Sequence, residues 1–162
     1  ICSPVFYKNR VYIAIGQDPE HGEGVGNLVC IDATQKGDIT QGGAVWSYDK
    51  INRTISTVSI DPDTGLLFIA DYSGFVYCLD AETGKEHWIH DMKAHMWGST
   101  LVADGKVFLG DEDGDLVVLE ASAEKKVLNE VFFGAPIYST PVVANGVLYV
   151  GTQTHLYAIG NK

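Results

Sequence analysis

The chain has 162 residues, with 11 Lys plus Arg against 21 Asp plus Glu and a formal charge of −10. That balance offers no basic patch to neutralise phosphates or to dock on an anionic bilayer, so it argues against nucleic acid and membrane surfaces as partners. Hydrophobic residues make up 46% and charged residues 20%, the usage of a folded domain, and no apolar run nears the ~18 residues of a membrane span.

In chain order, the opening Ile1-Cys2-Ser3-Pro4 lacks both an initiator Met and a signal-like segment, so the expectation is an excerpted or processed chain. Short strands follow: Val5-Phe6-Tyr7, the turn Lys8-Asn9, then Val11-Tyr12-Ile13-Ala14. A long loop, Gln17–Gly26, leads to a strand through Cys30 and a stretched turn from Asp32-Ala33-Thr34 to a strand through Trp46. The pattern then restarts. Ser56 to Ile60, the turn Asp61-Pro62-Asp63-Thr64-Gly65, Leu66 to Ala70, Phe75 to Leu79 and a strand through Trp88 form a second copy. Ser99 to Gly110 opens a third copy and Ser139 to Gly151 a fourth, forty residues later. These segments are β-branched or aromatic and bounded by Asp, Asn and Gly. Asp104-Gly105 and Asn145-Gly146 are hairpin signals, because the tight primed turns need positive φ.

A repeat of about forty residues with four antiparallel strands reads as a propeller blade, whose faces are buried only by stacking on neighbours. The predicted fold class is all-β, a β-propeller of four-stranded antiparallel blades. Expected boundaries are 1–49, 54–91, 97–133 and 137–160. Strand A lies innermost and strand D outermost. The fourth copy reaches Ile159-Gly160, where its outer strand would begin.

These residues resemble the pyrroloquinoline-quinone-like (quinoprotein-type) β-propeller repeat family. The carrying motif is Leu79-Asp80-Ala81-Glu82-Thr83-Gly84-Lys85-Glu86-His87-Trp88, stretched in the first copy and lost in the third, where Leu128 falls at the Trp position. The resemblance implies that Trp46 and Trp88 dock between blades, near a turn Gly such as Gly84. Gly16 to Gly26 and Asp91 to Gly98 also resemble uncharacterised planctomycete-type secreted propeller proteins, which implies an extracytoplasmic setting, periplasmic or secreted. Such propellers close by pairing a strand from one terminus into the last blade, since an open edge invites aggregation. The chain is therefore expected to be the C-terminal half of an approximately eight-bladed ring. The missing half would come from upstream sequence, from a second chain or from self-association.

Topology assigns the D–A and B–C loops to one rim, the top, and the A–B and C–D loops to the other. Four histidines (His21, His90, His95, His155) fall in or beside top loops. Arg53, Trp97 and Tyr138 precede strand A in successive blades and are expected at the channel mouth, where a cation beside aromatic faces suits an anionic or planar ligand. Asp18, Glu20, His21 and Glu23 in the long loop are candidate ligands for calcium or another divalent ion. Asp111-Glu112-Asp113-Gly114 misplaces its Gly for a calcium loop and reads as a charged turn. Cys30 and Cys78 share one strand C slot, filled elsewhere by Val118 and Ala158, and are expected to be inert core thiols.

Known quinoproteins of the eight-bladed type hold the quinone with a stacked Trp, a vicinal disulfide, an Arg and calcium. No two cysteines here are adjacent. The expected function is a non-catalytic binding or scaffolding module with a protein or small-molecule ligand on the top face. The alternative is part of a pyrroloquinoline quinone-dependent oxidoreductase whose other cofactor contacts lie in missing blades. A hydrolase or lyase would need acidic residues paired across the channel, which sequence does not place.

Overall fold

The computed structural model describes residues 2–17 and 24–160. Among them there are fifteen strands and no α-helix, and hence no helix long and apolar enough to cross a membrane. The first sheet orders β1 (Val5–Tyr7), β2 (Arg10–Gly16), β3 (Gly26–Asp32) and β4 (Ala44–Tyr48) from inside to outside. The second runs β5 (Ser59–Ile60), β6 (Leu66–Ala70), β7 (Phe75–Asp80) and β8 (Glu86–Asp91). The third runs β9 (Leu101–Ala103), β10 (Lys106–Gly110), β11 (Asp115–Glu120) and β12 (Val127–Phe132). The fourth has three strands, β13 (Val142–Ala144), β14 (Val147–Gly151) and β15 (Leu156–Ile159). The protein is a β-propeller, and every pairing in it is antiparallel.

Strand alternation sends every second side chain toward the previous blade and the others toward the next. Leu67, Ile69, Tyr77 and Leu79 pack on the first blade with Tyr12, Leu28 and Cys30. Phe68, Val76, Cys78 and Trp88 pack on the third with Val107, Leu109 and Leu119. The third seam is smaller, around Leu116, Ile137 and Val150. Each cluster spans two sheets, so no blade owns a core by itself.

Two devices lock the seams. At the outer edge, the Trp46 indole N–H donates to the Ala81 carbonyl at 3.1 Å and that of Trp88 to the Ser122 carbonyl at 2.9 Å. A Cβ on Gly84, which sits at φ 72°, would stand 2.7 Å from the Trp46 ring, so the turn glycine makes room for the indole of the preceding blade. At the inner edge, the Ser3 amide donates to the Thr57 hydroxyl, the Thr57 amide to that of Ser99, and the Ser99 amide to that of Thr140.

The third blade corrects one expectation. Trp46 and Trp88 lie across from Cys30 and Cys78, but Asn129, not Leu128, lies across from Val118. The turn from Leu119 to Val127 is one residue longer than that from Leu79 to Glu86, and Leu128 falls at the bulge. Without a docking indole, all of β12 stays exposed.

Candidate functional site

The top rim is assembled by the connectors that lead from each outer strand back to the next inner strand. Each is hydrogen-bonded to the B–C turn of the blade it enters: Tyr72 N–H to Arg53 O at 2.9 Å, Glu112 N–H to His95 O at 2.9 Å, and Gln153 N–H to Pro136 O at 2.8 Å. All three also bond back to the blade they leave, through Arg53 N–H to Gly24 O, Met96 N–H to Tyr72 O and Ile137 N–H to Asp111 O. The approach is close enough to require glycine. At Gly74 and Gly114, both at φ 100°, a Cβ would meet the carbonyl oxygens of Ala94 and Ala135 at 2.2 and 2.7 Å.

The turns themselves are anchored by buried carboxylates. Asp71 is 1% exposed and accepts the Phe75 amide, the Asn52 side-chain amide and the Tyr77 hydroxyl. Asp111, equally buried, accepts the Gly114 and Asp115 amides, and its burial pushes the carboxyl above the usual Asp range. Thr152 takes this place in the fourth blade, accepting the His155 amide. The acidic turn Asp111-Glu112-Asp113-Gly114 is thus closed on its own backbone, and among the described residues no three His, Cys, Asp or Glu converge to hold a metal.

On this frame stands a row of flat groups. The Arg53 guanidinium lies over the Tyr72 ring at 4.8 Å. Tyr72 stacks on His95 at 4.5 Å, with 10° between the rings, and meets Trp97 edge-on at 5.1 Å. Trp97 in turn meets Tyr138 edge-on at 5.9 Å. The indole N–H of Trp97 donates to Glu112 at 2.9 Å, and His95 Nδ1 is 3.0 Å from the Tyr72 carbonyl oxygen. Trp97 and Tyr138 are 41% and 42% exposed, so the row presents apolar faces to solvent on the rim. Such a surface can hold a ligand by stacking and cation–π attraction.

Of the residues expected at the channel mouth, Trp97 and Tyr138 touch, and Arg53 joins them through Tyr72. Glu112 as the indole's acceptor was missed, because its turn reads only as a charge run. Its place just before Gly114, with Trp97 just before strand A, was the available signal. Asp18, Glu20, His21 and Glu23 lie outside the described residues. His155 pairs with Thr154 at 2.9 Å. His90 is held below the ordinary His value by burial and by nearby Lys125.

A quinone would need a thiol pair and a calcium ligand set. Cys30 and Cys78 are fully buried in different blades, and burial raises both thiols, that of Cys78 to about 12. Cys2 donates to the Ala14 carbonyl instead. The three free cysteines therefore form no vicinal pair of the kind the family resemblance implies for a quinone site.

A PQQ-like repeat family model, described as outer membrane protein assembly factor BamB, matches residues 26–127 and 73–161. The 1-butanol dehydrogenase (cytochrome c) of Thauera butanivorans is 28% identical over 140 residues, covering 72% of this chain and 20% of that protein. The outer membrane protein assembly factor BamB of Moranella endobia is 25% identical over 107 residues, covering 59% of this chain and 27% of that protein. The chain thus spans a fifth to about a quarter of these relatives. The crystal structure of BamB from Moraxella catarrhalis superposes with a TM-score of 0.71 at 19% identity, over 93% of this chain and 42% of that one, a likeness of fold. Repeat, sheet order and family match agree: this chain belongs to the PQQ-like propeller family described as outer membrane protein assembly factor BamB.

Proposed function

We propose that the chain is a non-catalytic binding or scaffolding segment of a propeller that works outside the cytoplasm, with its protein or small-molecule partner on the top rim. The observation that carries this reading is the Arg53–Tyr72–Trp97–Tyr138 row, which links three successive connectors and leaves Trp97 and Tyr138 exposed. The groups beside it are engaged in holding the frame: His95 on a carbonyl, Glu112 on an indole, Asp71 and Asp111 on their turns. These engagements suit a surface that makes contacts. A relative named as an assembly factor supports the same reading.

The second reading, part of a pyrroloquinoline quinone-dependent dehydrogenase, is favoured by the 28% identity to 1-butanol dehydrogenase. In that case Trp97 and Arg53 are the groups of this chain that would face the quinone, which when bound supplies the oxidising chemistry. Absorbance of the natively purified protein separates the two. The binding reading expects no quinone band and no alcohol-dependent dye reduction after incubation with quinone and calcium. A band lost on denaturation, with dye reduction, overturns it.

A further inference from the structure

The second and third blades each pack on a neighbour through both faces. Between them the top rim holds a depression of about 300 Å³. Ser73 lines it from one B–C turn, Lys93 and His95 from the connector, and Glu112 and Asp113 from the next B–C turn. Trp97 adjoins it, since its indole N–H donates to the Glu112 carboxylate.

The walls are rich in acceptors. A carbonyl oxygen only accepts, so His95 Nδ1, 3.0 Å from the Tyr72 carbonyl, carries the proton, and in the neutral ring Nε2 is left as an acceptor. The indole occupies Glu112 Oε2 and leaves Oε1 open. Asp113 is exposed, and among the described residues its carboxylate has no hydrogen-bond or ion-pair partner. Against these acceptors the described walls set a single cation, Lys93. Arg53 does not reverse the sign. Its guanidinium is engaged on the Tyr72 ring, so the formal charge that touches the exposed indole is that of Glu112. An anion entering here would meet two carboxylates, in a chain that already carries −10. A cation would meet acceptors beside an aromatic ring.

Among cationic groups a guanidinium fits this set. It is planar and stacks on aromatic rings, and its fork of N–H donors serves two carboxylates and an imidazole lone pair together. An ammonium is a compact, strongly hydrated point charge and gains less from the indole. The depression is shallow and runs into the exposed Trp97 and Tyr138, which suits a side chain carried on a longer protein segment. We propose, resting on the reading of the top rim as the binding face, that this depression receives an arginine side chain of a protein partner. The guanidinium lies against Trp97 and donates to Glu112 and Asp113, with His95 Nε2 as a neutral acceptor.

Peptides selected from a random displayed library on the immobilised 162-residue chain are the probe, and those whose binding Trp97→Ala abolishes are made synthetically. They should share an arginine. Replacing it by citrulline, which keeps the shape and removes the charge, should weaken binding about tenfold or more. Glu112→Gln, which still accepts the indole, and Asp113→Asn should each weaken the arginine peptide about three- to tenfold and leave the citrulline peptide unchanged. Lys93→Gln removes a like charge and should tighten the arginine peptide, and added salt should loosen it. The citrulline arm alters no residue of the protein, so it decides even where a variant misfolds. Trp97-dependent peptides without arginine, or equal binding of the citrulline form, overturn the proposal and leave the rim standing as a binding face. So do carboxylate variants that bind the arginine peptide as the parent does, or a Lys93→Gln that loosens it. If no peptide depends on Trp97, the binding face itself falls and the proposal with it.

Discussion

The two rims of the propeller are made by the same repeat, yet they dispose of their polar groups in opposite ways. On the lower rim, side chains close on their own turns. Thr34, Thr64 and Thr83 each donate a hydroxyl hydrogen bond of 2.7 Å to Asp32, Asp61 and Asp80 respectively. Even the depression between the first two blades is internally paired, with Arg10 on the Glu82 carbonyl and Tyr7 on that of Pro62. On the upper rim, the Asp71 and Asp111 carboxylates sink beneath the surface, and exposed rings reach from one connector to the next. Among the described residues, threonine-closed turns mark the lower rim and exposed aromatic rings shared between connectors mark the upper, and it is on the upper rim that the proposed binding reading rests.

The contrast can be broken most severely from below. Trp88→Ala removes an indole that is 7% exposed and packs on Phe68 at 5.8 Å, so it should cost about 3–5 kcal/mol in chemical denaturation. A loss under ~1 kcal/mol would contradict the docking role. Next comes the buried frame of the upper rim. Asp71→Ala strands the Tyr77 hydroxyl and the Asn52 amide, and should cost about 2–4 kcal/mol. Its lower-rim counterpart, Asp80→Ala, loses only a partly exposed turn cap and should cost about 1 kcal/mol or less. Equal losses would erase the distinction between frame and turn.

Titration sharpens the comparison by sign. Hydrogen bonds from Thr34 hold Asp32 below the usual Asp range, so its contribution is present above the unfolded value and lost as pH falls through the folded one. Burial raises Asp111, so its folded form takes up a proton more readily, and stability declines as pH rises from the ordinary value through the raised one. Compared with the parent across about pH 3–7, spanning the ordinary Asp value of about 3.9, Asp32→Asn should be less stable at neutral pH, with the deficit vanishing in acid. Asp111→Asn should show its most favourable difference at neutral pH and lose it in acid. Parallel curves for the two variants would contradict the opposed shifts.

The smallest expected effect on folding is at the row itself. Trp97→Ala and Tyr138→Ala should each change stability by less than about 1 kcal/mol, because both rings are two-fifths exposed. A larger loss would make the row part of the frame.

Much of this architecture was legible in the sequence, because a forty-residue period and Asn145-Gly146-type turns are local signals that hydrogen bonding can satisfy in one way. The register of β12 was not, since one extra turn residue moves the bulge and puts Asn129 where spacing alone put Leu128. The rim was half legible. Residues just before strand A share the top connectors, and the contacts bring Arg53, Trp97 and Tyr138 into one row. That Tyr72 would link them, and that Glu112 would hold the indole, depends on connectors packing across blades, and no local pattern encodes that.

The central claim is that this face, and not the opposite one, makes the protein's contacts. Selection of displayed peptides on the immobilised chain, followed by rescoring of the binders on variants of each rim, tests it most directly. Binders should be lost on Trp97→Ala and Tyr138→Ala and retained on the lower-rim variant Tyr7→Ala. Binders that survive both upper-rim substitutions and fail on Tyr7→Ala would contradict the account.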